Sequence, residues 1–206
     1  VFGGTLTGQV VASNRNGLSV GGDLTAAGMD LGTLLRATTG SDRLGGVASG
    51  RLRFLGTGQT EAAIMAGLSG DGDIAVSGGT LRGVDLARLL RNYDPAAIDD
   101  AAVTPFDSLR ASFAIAGGTL DNRDLMLTGP DVRATGEGQV MLGPRRIDYR
   151  LTPVALTGEQ GRELAVPVTI RGPWSNPEIA PDLEAFALQR LKLDDAALKA
   201  RLDAEK

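Results

Sequence analysis

Between Ala111 and Leu151, apolar and polar residues alternate with a period of two. Phe113 and Ile115 alternate with Ser112 and Ala114, and Leu125 and Leu127 flank Met126. Val132, Ala134, Gly136, Gly138, Val140 and Leu142 share one parity, with Arg133, Thr135, Glu137 and Gln139 on the other; Ile147, Tyr149 and Leu151 then alternate with Asp148 and Arg150. This period predicts strands with one buried and one wet face. Turn chemistry breaks the pattern at Gly117-Gly118, Asp121-Asn122, Gly129-Pro130 and Gly143-Pro144. Connections this short force antiparallel neighbours, because a parallel pair needs a crossover of about a dozen residues or more. The stretch is predicted to be a meander of at least four strands.

Upstream, residues 1–28 read as strand, turn, strand, strand. Leu6, Val10 and Val11 precede a turn at Asn14–Gly17, Leu18 and Val20 alternate, and Gly21-Gly22 turns the chain before Leu24. Asp30 is a good helix N-cap, since its carboxylate can accept from the free amides of a first turn. Leu31, Leu34 and Leu35 follow at one-face helical spacing, and Met29 and Leu34 are placed for a hydrophobic staple. Residues 41–49 read as a loop before a strand at Leu52 and Phe54. The arrangement returns: Ile74 and Val76 alternate, Gly78-Gly79 turns, and Val84–Leu90 repeats the capped helix with Asp85 as the cap. Arg51-Leu52-Arg53-Phe54 after the first helix matches Arg110-Ala111-Ser112-Phe113 after the second. The pattern reads as an internal duplication of a strand–helix–loop–strand unit; two amphipathic helices alike by coincidence are the alternative.

Beyond Leu151, Leu164, Val166, Val168 and Ile170 alternate with Ala165, Pro167, Thr169 and Arg171. Pro167 has no ladder donor and so suggests an edge strand or an outward-facing position. Gly172–Pro177 stops the sheet, and residues 182–206 read as helix, with Asp182 as a cap and Leu183, Phe186, Ala187 and Leu191 on one face.

The composition narrows what such a chain can do. Glycine is 29 of the 206 residues, about twice average usage, and lies in turns and strands rather than in a fixed triplet. Aromatic residues are 4%, so the core must be aliphatic. A net charge of −4, with mixed signs along the chain, argues against a nucleic-acid groove, which needs a basic stripe. No cysteine is present, so there is no disulfide framework and the redox compartment is left open. No apolar run approaches the roughly 18 residues of a transmembrane helix, and no signal peptide is apparent. The chain begins at Val1 in a strand-like pattern, and a fragment of a longer protein is expected.

Candidate chemistry is sparse. Without histidine or cysteine the Ser-His-Asp and Cys-His constellations and the zinc sites built on those residues are excluded. There is no phosphate-binding G-x-x-x-x-G-K, and Gly136-Glu137-Gly138 lacks the third glycine of a dinucleotide fingerprint. Gly70-Asp71-Gly72-Asp73 resembles a calcium turn but lacks the bidentate glutamate downstream, so a polar turn is the plainer reading. Asp99-Asp100 falls in a polar loop, where solvated acids are more common than an acid–base pair. No metal, cofactor or catalytic residue is expected. The apolar faces remain. Phe113, Ile115, Leu125, Leu127 and Val140 form either an ordinary core under the helices or part of an open groove for acyl chains. Gly136 and Gly138 favour a bent sheet, since strand glycines mark bends or close approaches.

Several pieces together resemble the C-terminal region of the AsmA family of Gram-negative bacterial envelope proteins. They are Ser77-Gly78-Gly79-Thr80-Leu81-Arg82-Gly83-Val84-Asp85-Leu86 with Leu89-Leu90-Arg91, Thr104-Pro105-Phe106-Asp107-Ser108-Leu109, and Phe113-Ala114-Ile115-Ala116-Gly117-Gly118 with Asp124-Leu125. Gly136-Glu137-Gly138 with Ile147-Asp148-Tyr149, and Val168–Pro173 with Pro177 and Pro181-Asp182, complete the set. The resemblance spans about residues 70–182 and reaches 1–69 only through the repeat. It implies a non-enzymatic protein of outer-membrane biogenesis, periplasmic and held at the inner membrane by an N-terminal anchor upstream of Val1. A long β groove of such a protein would carry phospholipid between the two membranes.

The expected architecture is therefore mainly β with a few short helices (α+β): a curved antiparallel meander forming a groove-like sheet, amphipathic helices from two repeats, and a C-terminal helix. One domain is expected over 1–181, with units at about 1–69 and 70–181, followed by a helical tail over 182–206. The groove candidates are Ile74, Val76, Phe113, Ile115, Leu125, Leu127, Val140, Leu142, Ile147, Tyr149 and Leu151. The expected partners are phospholipid and the remainder of the parent chain, with membrane contact through its anchor and no nucleic acid. The competing expectation is a structural module that assists outer-membrane protein assembly by sheet-edge pairing and binds no lipid; a carbohydrate-acting enzyme is a distant third.

Overall fold

The computed structural model describes residues 1–14, 18–92, 95–156, 165–182, 184, 185, 187 and 188. Alternation produces ten strands: β1 (Thr5–Ser13), β2 (Ser19–Asp30), β3 (Leu44–Thr57), β4 (Ser69–Arg82), β5 (Val103–Ala116), β6 (Thr119–Thr128), β7 (Val132–Met141), β8 (Arg146–Ala155), β9 (Val168–Pro173) and β10 (Glu178–Pro181). They form one curved, open, antiparallel sheet in which spatial order is sequence order, so every strand pairs only with its neighbours along the chain. Three short helices interrupt the meander: α1 (Leu31–Thr39) between β2 and β3, α2 (Glu61–Ala66) between β3 and β4, and α3 (Leu86–Asn92) between β4 and β5, followed by a 3-10 turn at Pro95–Ala97.

Each helix begins on a polar side chain that accepts an amide of its first turn. Asp30 Oδ1 accepts from the Thr33 N–H at 2.9 Å, Thr60 Oγ1 from Ala63 at 3.2 Å, and Asp85 Oδ1 from Arg88 at 2.9 Å. These contacts satisfy donors that have no partner within the helix. Gly40 closes α1 in the left-handed region (φ 75°), where its N–H donates to the Arg36 carbonyl, a conformation that suits glycine. The entry to α3 has a second, buried support: the Leu86 N–H donates to Thr104 Oγ1 at 2.9 Å, and that hydroxyl donates to the Val84 carbonyl at 2.7 Å. The β2–α1–β3 and β4–α3–β5 passages share one element order. Helix α2 has no counterpart in the sequence reading, because six residues present too little periodicity to separate from a loop.

The register places one parity of all ten strands on a single apolar face. Across it run rows of opposed residues, such as Val10, Gly22, Phe54, Gly70, Ile115, Leu120, Val140, Ile147 and Gly172. Large side chains lie opposite small ones: Phe54 over Gly22, Phe113 over Gly72, Phe106 over Gly79, and Tyr149 over Gly138. A Cβ at Gly22 would stand 2.8 Å from the Phe54 ring, so the glycine makes room for the ring. This corrects three expected breaks. Gly21-Gly22 lies inside β2, and Gly78-Gly79 inside β4, where Gly78 (φ 57°) takes part in a bulge against β3. Asp121-Asn122 lies inside β6, at the start of a bulge whose extra residue shifts the register against both β5 and β7. Gly70–Asp73 is likewise strand, not turn, and β3 begins at Leu44, within the stretch expected to be a loop.

The core lies at one end of the apolar face. Leu86, Leu89 and Leu90 of α3, with Leu31 of α1, pack among Val76, Leu81, Phe106, Leu109, Leu127, Val132, Ala134, Leu151 and Val168 of the sheet. Downstream, Pro167 precedes β9 rather than sitting within it, and its carbonyl accepts from the Asp182 N–H at 2.7 Å. The edge beyond β9 is β10. Asp182 Oδ1 accepts from the Ala185 N–H at 3.0 Å, as a cap would. Leu164, and the tail helix over Leu183, Phe186 and 189–206, lie outside the described residues.

Candidate functional site

The apolar face divides into a covered zone and an open one. Val76, Ile115, Leu127 and Leu151 are buried, Leu127 to 1% exposure. Ile74, Leu125 and Tyr149 are half-buried and pack against the core cluster. Phe113, Val140 and Ile147 are half-buried too, but lie outside that cluster. Leu142 follows the end of β7, where its N–H donates to the Gly118 carbonyl at 2.9 Å. The structure adds Leu24, Leu52, Phe54 and Leu120, half-buried on the same face and in register with these rows. Their parity was readable in the sequence, but their place in the rows depends on strand pairing, of β2, β3 and β4 for the first three and of β5, β6 and β7 for Leu120.

At the opposite end α2 forms a partial rim. Ile64 and Leu68 occupy the space a Cβ of Gly56 would need, so they stand over the apolar face of β3. Backbone bonds tie the loops there: Gly58 to the Leu18 carbonyl, Gly118 to Leu68, and Leu142 to Gly118, each 2.9 Å. Between the α1–α3 cover and this rim runs a shallow trough floored by Leu24, Leu52, Phe54, Phe113, Leu120, Val140 and Ile147, half-buried and without a charged side chain among them.

One polar group interrupts the floor. Asn122 is 5% exposed, and its amide donates to the Ser112 carbonyl and to Asp124 Oδ1, both at 2.7 Å. The Tyr149 hydroxyl donates to Asn122 Oδ1. Asp124, displaced by the β6 bulge, accepts the Ser112 hydroxyl at 2.5 Å and the Ser112 N–H at 2.8 Å. These Ser112 donors hold the Asp124 carboxyl below the usual carboxylate range. Burial first, and then the Asp124 and Glu137 carboxylates, push the Tyr149 phenol up, so it remains a protonated donor. The network binds β5, β6 and β8 through satisfied groups and leaves no reactive one.

The opposite face carries the charge. Arg53 pairs with Asp71 at 3.0 Å, Arg171 with Asp148 at 2.9 Å, and Arg123 with Asp121 at 2.8 Å. Gln139 and then Arg123 hold the Asp121 carboxyl below its ordinary range. Arg43 bridges loops, donating to Asp100 at 2.9 Å and Asn176 at 3.2 Å, so Asp100 serves as an ion-pair partner. Among the described residues no group of three acids gathers as a metal site, and no helix is long and apolar enough to cross a membrane.

Comparison with protein families, curated proteins and solved structures returns no match. The trough is therefore interpreted from its own chemistry. Its lining is aliphatic and aromatic, and the one polar group on its floor, Asn122, is fully hydrogen-bonded.

Proposed function

We propose that this chain is a non-enzymatic, lipid-carrying domain of the bacterial envelope, similar to the AsmA family, whose trough shelters the acyl chains of phospholipid in the periplasm between the inner and outer membranes. The observation that carries the proposal is the part of the apolar face that lies outside the core cluster. Leu24, Leu52, Phe54, Phe113, Leu120, Val140 and Ile147 are half-buried and lie outside the core cluster that seals Val76, Leu127 and Leu151 on the same face. A row of aliphatic and aromatic side chains that the chain's own core leaves incompletely covered is a surface an apolar ligand can complete. The paired charges of the other face keep that side wet while the trough faces a ligand. A second reading, a structural module acting through sheet-edge pairing without lipid, is favoured by the fully exposed β1.

The test is extraction of the gently purified chain and mass spectrometry of the extract. Phospholipid is expected at a fixed ratio to protein. Leu52→Glu and Phe54→Glu, which place charge on the trough floor, should abolish it while circular dichroism stays native. A native chain that carries no phospholipid, and takes none from vesicles of phosphatidylethanolamine and phosphatidylglycerol, overturns the proposal.

A further inference from the structure

The turn between β9 and β10 touches a distant part of the sheet. Arg43 stands just before β3, and its guanidinium donates to Asn176 Oδ1 of that turn at 3.2 Å and to Asp100 Oδ1, ahead of β5, at 2.9 Å. A Cβ at Gly40, which closes α1, would lie 3.8 Å from the Ser175 Cβ, and one at Gly83, ahead of α3, 3.0 Å from Ile179 Cδ1 of β10. β3 and β9 are six places apart in the sheet. With about 4.8 Å between neighbouring strands, a flat sheet would hold them about 29 Å apart. The sheet therefore curls until the β9–β10 hairpin meets the α1–β3 and β4–α3 passages. Ile170 and Ile179 of the hairpin join the same core cluster as Leu31 and Leu44, so the apolar face lies inside the curl.

This seam is fastened unlike the rest of the sheet. Among the described residues no backbone hydrogen bond crosses it. Its ion pair joins Arg43, 23% exposed, to Asp100, 92% exposed, and pairs so open to water hold little. A cleft of about 480 Å³ between Arg43, Ile98, Asn176 and Ile179 runs along it. β10 is bound to the sheet through four residues of β9. Given the lipid-carrying reading, on which this rests, we propose that the seam is the gate of the trough: Arg43 is its latch, and release of Arg43 lets the β9–β10 hairpin swing outward and admit an acyl chain from the side. Helices α1 and α3 cover one end of the curl and α2 rims the other, so the seam is the side from which a long chain enters without displacing a helix. Reburial of Ile170 and Ile179 closes it again, and Arg43 sets the closed position.

The test uses two readouts. Trp174, the single tryptophan, sits in the moving turn. Its emission should shift to the red and its quenching by acrylamide should rise in Arg43→Gln, and in wild type as salt is raised, with far-ultraviolet circular dichroism unchanged. The chain has no cysteine, so Gly40→Cys with Ser175→Cys makes one defined pair at the Cβ spacing of a disulfide. The reduced form of that variant controls for the strain of a side chain at the left-handed Gly40 (φ 75°). Uptake of phospholipid from vesicles of phosphatidylethanolamine and phosphatidylglycerol is expected in wild type and in the reduced variant, faster in Arg43→Gln, lost in the oxidised variant and restored on reduction. Equal uptake by oxidised and reduced forms overturns the gate and leaves the trough standing. So does an Arg43→Gln variant whose Trp174 stays as shielded as in wild type, a result that needs no lipid. A cysteine pair that does not oxidise overturns the contact itself. Wild type that takes up no phospholipid overturns the trough, and the gate with it.

Discussion

The covered and open zones of the apolar face are built from the same alternating strands, and they differ only in what the connections bring over them. In a meander, successive connections fall at alternate ends. The β2–β3 and β4–β5 connections carry α1 and α3 to one end, where Leu86 is fully buried. The β3–β4 connection carries the six residues of α2 to the other, too short to cover much. The middle of the sheet lies beyond the reach of either. Whether an apolar row is sealed into the core or left partly covered is thus decided by connection length and not by the row itself.

The comparison can be broken by substitution. Leu86→Ala removes a side chain with no exposure and should destabilise by about 2–5 kcal/mol. Urea unfolding at equal protein concentration reads the loss as a lower midpoint. Thr104→Val keeps the volume at the covered end but leaves the Leu86 N–H and Val84 carbonyl unpaired, and should cost about 1–3 kcal/mol. Leu52→Ala in the trough should cost less, about 1 kcal/mol, because the side chain is only partly buried and lies outside the core cluster. If Leu52→Ala cost as much as Leu86→Ala, the trough would be core and the distinction would fail.

A smaller effect lies in acid. The Asp124 carboxyl is held below its usual range in the folded chain, so its contribution is present above the unfolded value, about 3.9, and is lost as pH falls through the folded one. Urea midpoints measured down through that range should fall less for Asp124→Asn than for wild type. Equal acid slopes would mean that the bulge network adds nothing to the floor of the trough.

The strands were legible because period two survives in a half-buried sheet; Val132–Leu142 shows it over a full strand. The helix starts were legible because Asp30 and Asp85 precede leucines at helical spacing. The turns were less so, since Gly21-Gly22 and Gly78-Gly79 look the same whether glycine bends the chain or yields space to Phe54 or Phe106 across the sheet. Asn122 looked like a turn residue for a related reason: its partners, Ser112 and Tyr149, sit on other strands. The candidate groove residues showed their parity but not their cover. Leu127 and Val140 belong to one alternating face, yet Leu127 lies in the core cluster while Val140 lies outside it.

Strand order follows chain order throughout this sheet, and that bears on how the chain acquires its shape. No strand has to wait for a distant partner, so each hairpin can zip onto the one before it as the polypeptide leaves the ribosome. Loop-closure entropy is then met in small steps, and pairing between near neighbours favours fast folding for a β protein. A strand added or lost at either end would change the sheet's width without rethreading it.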